Sequence, residues 1–297
     1  SDLGDLNDLD INWFRGDVFD PDIIKAATEG VEYIFHLAAA FREEKGTDEG
    51  YRKVHLYSTQ LLAEEVTGRP EFKCFVHTST VGVHGHTPGE DYADEEYRFS
   101  PGDGYQRTKL EGEQWLAGVA PKKNIPYTII RPTPIFGPGD ARLLKFFKMV
   151  NNGYILMLGG GKGIYHLIHV DDLTEIFLLA AVSEKARSEV FIAANDEPIS
   201  IIDMGKSIAK ALGKNIRVIN LPIWPFFLGA DICKAICTPL GIQPPLYRRR
   251  VAFYTKDRKF NIKKLNTVLG YQLRHSNEAG LAETAQWYVE QGWLDKK

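Results

Sequence analysis

The chain has 297 residues, 44% hydrophobic and 25% charged, ordinary globular values that exclude a disordered, collagenous or coiled-coil chain. Lys and Arg number 36 against 39 Asp and Glu, a net charge of -3, and nothing shows the basic stripe of a nucleic-acid binder. Three cysteines, Cys74, Cys233 and Cys237, make no disulfide framework and lack CxxC spacing. The N-terminus has no secretory pattern, and the most apolar stretch, Val218 to Leu240, is interrupted by Pro222, Pro225, Asp231 and Lys234. A reducing, cytoplasmic setting without a membrane span is the expectation.

Taken in chain order, Asn12 to Arg15 reads as a short strand stopped by Gly16-Asp17. Asp20 then caps, and Pro21 opens, an amphipathic helix to Thr28. Val31 to Ala40 has the continuous apolar character of a buried parallel strand, ending in the small residues Ala38, Ala39 and Ala40. A helix follows from Tyr51 to Val66, then a strand from Phe72 to Thr78, a helix from Tyr105 to Ala117 and a strand from Tyr127 to Arg131. Asp171 to Ala181 is apolar at helical spacing, and Val190 to Ala194 is a further strand. This alternation predicts an α/β protein with a parallel sheet. After Ser200 the pattern turns to helices and Pro-rich links, read as a smaller lobe; residues 1–150 and 168–198 form the expected main body, and 151–167 and 199–297 the substrate lobe.

Chemistry concentrates at strand ends. Tyr105 and Lys109 stand four apart, on one face of a helix. An ammonium near a phenol favours the phenolate, giving a group able to move a proton on or off a carbinol oxygen. Upstream, His77-Thr78-Ser79-Thr80 ends a strand in hydroxyls, followed by Gly82 and Gly85; downstream, Arg131-Pro132-Thr133 ends the next strand. In open α/β sheets, ligands bind at the carboxyl ends of the strands.

With these motifs in view, together with His36-Leu37-Ala38-Ala39, His169-Val170-Asp171-Asp172 and Leu269-Gly270-Tyr271, the sequence resembles an extended short-chain dehydrogenase/reductase of the NAD-dependent epimerase/dehydratase type. The resemblance implies a Rossmann-type doubly wound sheet, NAD or NADP as cofactor, and hydride transfer at a secondary alcohol or ketone. It implies that Tyr105 is the acid/base, that Lys109 holds the nicotinamide ribose, and that Thr80, with Ser79 as second choice, hydrogen-bonds the reacting oxygen. Asp17 and Val18 would contact adenine, Ala38, Ala39, Thr78 and Ser79 the cofactor, and Pro132 and Thr133 the nicotinamide end. Thr80, His84, Thr133, Tyr165 and Arg248 are the expected substrate contacts. Pairing of two copies through Tyr51–Val66 and Tyr105–Ala117 is also implied.

Two departures follow. The glycine-rich strand–turn–helix that should open such a sheet is missing, and the segment before Asn12 is too short to hold it; a chain shortened at its N-terminus, with weakened dinucleotide binding, is expected. Thr133 stands where nucleotide-sugar relatives carry Asn, and Tyr165-His166 where they carry Arg-Asp. The substrate is therefore open between a nucleotide sugar and a 3β-hydroxysteroid- or dihydroflavonol-type alcohol, with a non-catalytic scaffold on the same fold as the rival reading.

Other features have plainer readings. Gly159-Gly160-Gly161-Lys162-Gly163 lacks phosphate-loop spacing and reads as a turn between strands; His84, His86, His166 and His169 come without an acidic ligand set, so no metal is expected. Asp103 and Ser100 are helix-start groups or substrate contacts, and Phe226, Phe227 and Leu228 are expected in the core of the lobe.

Overall fold

The computed structural model describes residues 6, 9–40, 47–87, 92–161, 163–237, 239–240 and 257–295. Its first helix, α1 (Pro21–Ala27), begins as expected, with the Asp20 side chain accepting from the N–H groups of Asp22 and Ile23. Strand β1 (Tyr33–His36) leads to α2 (Asp48–Arg52), which passes through a π turn at Lys53–Tyr57 into α3 (Ser58–Val66). Then come β2 (Cys74–Thr78), α4 (Gly104–Val119) and β3 (Tyr127–Pro132). The chain continues through β4 (Ile135–Phe136), α5 (Leu144–Asn151), β5 (Tyr154–Leu158), β6 (Ile164–Tyr165), β7 (Ile168–His169) and α6 (Val170–Val182). It ends with β8 (Glu189–Ala193), β9 (Ile199–Ser200), α7 (Ile201–Ala211), β10 (Arg217–Leu221), α8 (Trp224–Cys237) and α9 (Asn277–Glu290).

The main sheet is parallel throughout, in the order β1-β2-β3-β8. The central strands β2 and β3 are buried on both faces, whereas at the edge Phe35 of β1 is exposed, and successive residues part to opposite sides. Phe75 and Ile129 join Leu62, Val66 and Leu116 beneath α3 and α4, whereas Cys74, Val76 and Ile130 join Ile176, Phe177 and Ala180 beneath α6. A separate core gathers Phe147, Ile155, Met157, Met204, Ile208, Leu281 and Tyr288 around α5, α7 and α9. Phe146, Phe147 and Val150, which precede residue 151, belong to this second core.

Helices α2 to α4 are locked side by side by Arg107–Asp48, Arg52–Glu111 and Lys123–Glu64, all bridging residues 59 apart. A single offset along three pairs means that the two helical rods run parallel, as consecutive right-handed crossovers on one sheet face require.

The expected strand at Asn12–Arg15 is not formed: these residues have no regular structure and are exposed. Among the described residues no strand lies beside them to complete a ladder, and an unpaired strand gains no hydrogen bonds. The turn at Gly159–Gly161 does connect β5 to β6, with all three glycines at positive φ.

Candidate active site

The site is built on the carboxyl edge of the main sheet. Beyond β2, the Ser79 N–H donates to the Ile130 carbonyl at 2.8 Å, keeping the chain in register with β3 for one more residue. Thr80 then turns away: its Oγ1 accepts from the Gly82 N–H at 3.1 Å and caps the 3-10 turn Val81–His84. That turn rests on the start of α4, where a side chain at Gly82 would lie 3.1 Å from Gln106. The start of α4 is fixed in turn by Asp103, which accepts from the Gln106 N–H at 2.9 Å, and by Gln106, which accepts from the Gly102 N–H at 2.7 Å. Asp103 is thus the cap of the helix, and Tyr105 stands in its first turn.

One turn on, Lys109 is buried. Its Nζ donates to the carbonyls of Thr78 at 2.9 Å and Ala38 at 3.2 Å, so one ammonium ties together the ends of β1 and β2. Burial pushes it down to about 8.

The Tyr105 ring meets His55 edge-on at 5.2 Å and Tyr51 at 6.4 Å. His55 occupies the π turn, a distortion that recurs at functional sites. Its Nε2 accepts from the Ala40 N–H at 3.1 Å, so Nδ1 carries the proton and donates to Thr108 Oγ1 at 2.8 Å. The Thr108 hydroxyl passes its own hydrogen to the Gly104 carbonyl at 2.9 Å. Burial and the Lys109 charge hold His55 at about 3, so the ring stays neutral. His36, also pushed down to about 3 by burial and then Lys109, donates from Nε2 to Ser58 Oγ at 2.9 Å. Burial likewise depresses His77 well below the ordinary value. Three neutral imidazoles therefore line the interior behind Lys109 without adding positive charge to it.

At the same edge, Thr78 Oγ1 and Ser79 Oγ are buried with no hydrogen-bond partner. Buried hydroxyls are normally satisfied, so these two are suited to a polar ligand lying across the strand ends. With the small Ala38 and Ala39 beside them, the residues present fit the ribose and nicotinamide end of a dinucleotide.

The remaining expected contacts are placed as follows. Asp17 is exposed and Val18 half-buried, just ahead of α1. Pro132 and Thr133 are buried at the end of β3, and the Thr133 hydroxyl donates to the Ala193 carbonyl at 3.1 Å. Tyr165 is buried in β6 beneath the Arg258 guanidinium, 5.6 Å above its ring. Arg248 lies outside the described residues. The substrate role expected for His84 needs correction. The ring is fully buried, accepts from Arg131 Nη1 at 3.1 Å, donates to the Arg98 carbonyl at 3.3 Å and stacks on Phe99. It is engaged in holding Arg131, which also meets Glu113 in a buried ion pair and donates to the Glu95 carbonyl at 2.7 Å.

Sequence reasoning passed over His55, Glu113 and the network around Asp172. That carboxylate, at the start of α6, accepts from Tyr271 Oη at 2.7 Å, the Arg274 N–H at 2.9 Å, the His275 N–H at 3.2 Å and His275 Nδ1 at 2.9 Å. Burial pushes its carboxyl up, but the hydrogen bonds together outweigh this and hold it below the ordinary value. His169 and His275 lie within metal-ligand reach of Asp172, yet the Asp172 oxygens are already occupied by these four donors.

A parallel sheet whose carboxyl edge carries a Tyr-x-x-x-Lys helix and unpartnered hydroxyls defines the class of dinucleotide-dependent enzymes on a doubly wound fold. Residues 2–194, more than half of the chain, match the NAD dependent epimerase/dehydratase family, and the chain belongs to that family. It is 28% identical over 281 residues to the uncharacterized protein y4nG of Sinorhizobium fredii, covering 94% of this chain and 68% of that one. It is 28% identical over 244 residues to the UDP-glucose 4-epimerase of Vibrio cholerae, covering 81% and 70% of the two chains. It is 25% identical over 298 residues to the decarboxylating sterol-4-alpha-carboxylate 3-dehydrogenase of Saccharomyces cerevisiae, covering 95% and 84%. Among solved structures it resembles gox2253, with a TM-score of 0.78 at 23% identity over 99% of this chain and 89% of that one. It also resembles the NAD complex of UDP-glucuronic acid 4-epimerase from Bacillus cereus, with a TM-score of 0.74 at 22% identity, covering 98% and 86%. These two likenesses establish the fold. No helix among the described residues is long and apolar enough to cross a membrane.

Proposed function

We propose that the protein oxidises or reduces a secondary alcohol or ketone with NAD or NADP, as a net reaction or as the transient step of an epimerisation, and that Tyr105 is its acid/base. The observation that carries this reading is Lys109, an ammonium retained in a buried position where it joins the ends of β1 and β2 one helical turn from Tyr105. The nicotinamide, when bound, supplies the hydride acceptor or donor. Lys109, Thr78, Ser79, Ala38 and Ala39 would hold its ribose end, Pro132 and Thr133 its amide end, and Asp17 and Val18 its adenine. Tyr105 would take the proton from the carbinol oxygen on oxidation and return it on reduction, while the positive charge of Lys109 favours the phenolate. Thr80 or Ser79 would hydrogen-bond the same oxygen. Ser79 is favoured on one ground: its hydroxyl has no partner, whereas that of Thr80 caps a turn.

Two substrate classes follow from the relatives. A nucleotide sugar matches the epimerases; a sterol-type alcohol matches the dehydrogenases. The second reading gains from Thr133, whose hydroxyl is committed to Ala193 and so is withheld from a diphosphate. The proposal includes pairing of two copies through Tyr51–Val66 and Tyr105–Ala117, which sedimentation giving only monomer would exclude. The unpaired Cys74, Cys233 and Cys237 fit a reducing cytoplasm.

The test is calorimetric titration with NAD(H) and NADP(H), followed by turnover of UDP-glucose and of a 3β-hydroxysterol by the wild type and Tyr105→Phe. The variant should keep its cofactor affinity and lose about 10²- to 10⁴-fold in turnover. Undiminished turnover in Tyr105→Phe would refute the assignment, and a wild type that binds neither nucleotide would favour the scaffold reading.

A further inference from the structure

Helix α8 breaks the rule that an all-apolar helix is buried. Its 14 residues contain only two charges, Asp231 and Lys234, yet among its described side chains only Ala230 is fully buried. Phe226 and Phe227 are half-buried, and Leu228, expected in the lobe core, is exposed. Trp224, Leu228, Ile232 and Ile236 recur every fourth residue along one face, and Leu240 follows just past its end; all five are between 50% and 67% exposed. Exposed apolar residues in such a continuous row mark an interaction surface.

Charge identifies what it meets. In sequence, residues 211–256 carry seven basic residues (Lys214, Arg217, Lys234, Arg248, Arg249, Arg250 and Lys256) against one acid, Asp231. The rest of the chain carries 29 basic against 38 acidic. An apolar row set in a basic segment of an otherwise acidic protein is repelled by cations and drawn to an anionic surface with an apolar interior. The helix is about 21 Å long, short of the roughly 30 Å hydrocarbon core, so it can lie in a bilayer interface without spanning it. Trp224 at its start is a residue type that settles at headgroup level.

We propose that α8 docks the protein on the surface of an anionic phospholipid bilayer, with Leu228, Ile232 and Ile236 in the acyl boundary and Trp224 at headgroup level. This is independent of the catalytic assignment, since none of these residues belongs to the Tyr105–Lys109 site. The test is flotation with vesicles of phosphatidylcholine alone and of phosphatidylcholine containing about a third phosphatidylglycerol, using the full chain, Leu228→Glu/Ile232→Glu and Trp224→Phe. The wild type should float with the anionic vesicles, at least about tenfold more than with neutral ones, and less as salt rises. Its tryptophan emission should shift to the blue on binding, and Trp224→Phe should lose that shift. Leu228→Glu/Ile232→Glu should keep the wild-type unfolding midpoint and lose at least about tenfold in partition. Equal flotation with both vesicles, or with neither, overturns the proposal. If the wild type ignores vesicles but is a dimer that this double variant converts to monomer, the face belongs to a second copy and the proposal fails.

Discussion

Replacing Lys109 by Met tests whether the buried ammonium serves chemistry or structure. The folded protein holds Lys109 at about 8, against an ordinary 10.5, because burial penalises the charge. The gap corresponds to about 3 kcal/mol working against the folded state at neutral pH. Between pH 8 and 10.5 the unfolded chain holds the extra proton, so the contribution of this group to stability rises with pH across that window. Met removes the penalty and the hydrogen bonds to Ala38 and Thr78 together. The variant is therefore expected to be as stable as the wild type at pH 7, or up to about 3 kcal/mol more stable, and to be inactive. At about 0.6 kcal/mol per degree for a chain of this length, the upper bound is a rise of about 5 °C in Tm. Denaturant unfolding of both proteins at pH 7 and pH 10 is the assay, and the wild type should close the gap at the higher pH. A variant destabilised by more than about 2 kcal/mol at pH 7, by the same amount at pH 10, would mean that Lys109 is a structural tie and would refute the reasoning.

His55→Phe keeps an aromatic edge against Tyr105 but strands the Ala40 N–H; we expect a loss of about 1–3 kcal/mol in stability and a fall in kcat greater than any change in KM. Glu113→Gln should cost about 3–5 kcal/mol in denaturant unfolding, because Arg131 is left as a buried charge without its counter-ion, and Glu113→Leu combined with Arg131→Met should recover much of the loss. Asp172 has a lowered folded-state pKa, so its stabilisation is present above the ordinary 3.8 and lost as pH falls through the folded value. In an acid-unfolding titration Asp172→Asn should therefore be less stable at pH 7 and flatter below pH 4 than the wild type.

The strands and helices that bury a continuous apolar run were legible without coordinates. Tyr127–Arg131 could hardly lie elsewhere than inside a parallel sheet, and Asp20 and Asp103 cap helices because short acceptors satisfy free N–H groups locally. Local pattern also placed Tyr105 and Lys109 on one helical face. What it could not supply were partners distant in sequence. His84 resembled a cleft residue because it follows a hydroxyl strand end, and only the approach of Arg131 from β3 takes it inside. His55 lies 15 residues from Ala40 and 53 from Thr108, so no local spacing announces its role. Asn12–Arg15 has strand composition, yet a strand is completed by its neighbour rather than by its own residues. Phe226 to Leu228 were apolar enough for a core, but apolarity alone does not say which surface covers them.

The joining of β8 to β3 also bears on how the molecule assembles. The hydrogen bond from Thr133 to Ala193 spans 60 residues, and the intervening chain contains half of the second core. Lengthening a closed loop adds only about 0.6 kcal/mol per doubling, so this arrangement costs little at equilibrium. Its effect is on rate, since non-local parallel pairing is slow. The order β1-β2-β3 can form by successive crossovers, whereas β8 must wait for α5 and α6 to be laid down. Pulsed hydrogen exchange during refolding should accordingly protect the amides of Phe75 and Ser79 before that of Thr133. The strand end at Pro132–Thr133 would then be the last part of the carboxyl rim to take shape.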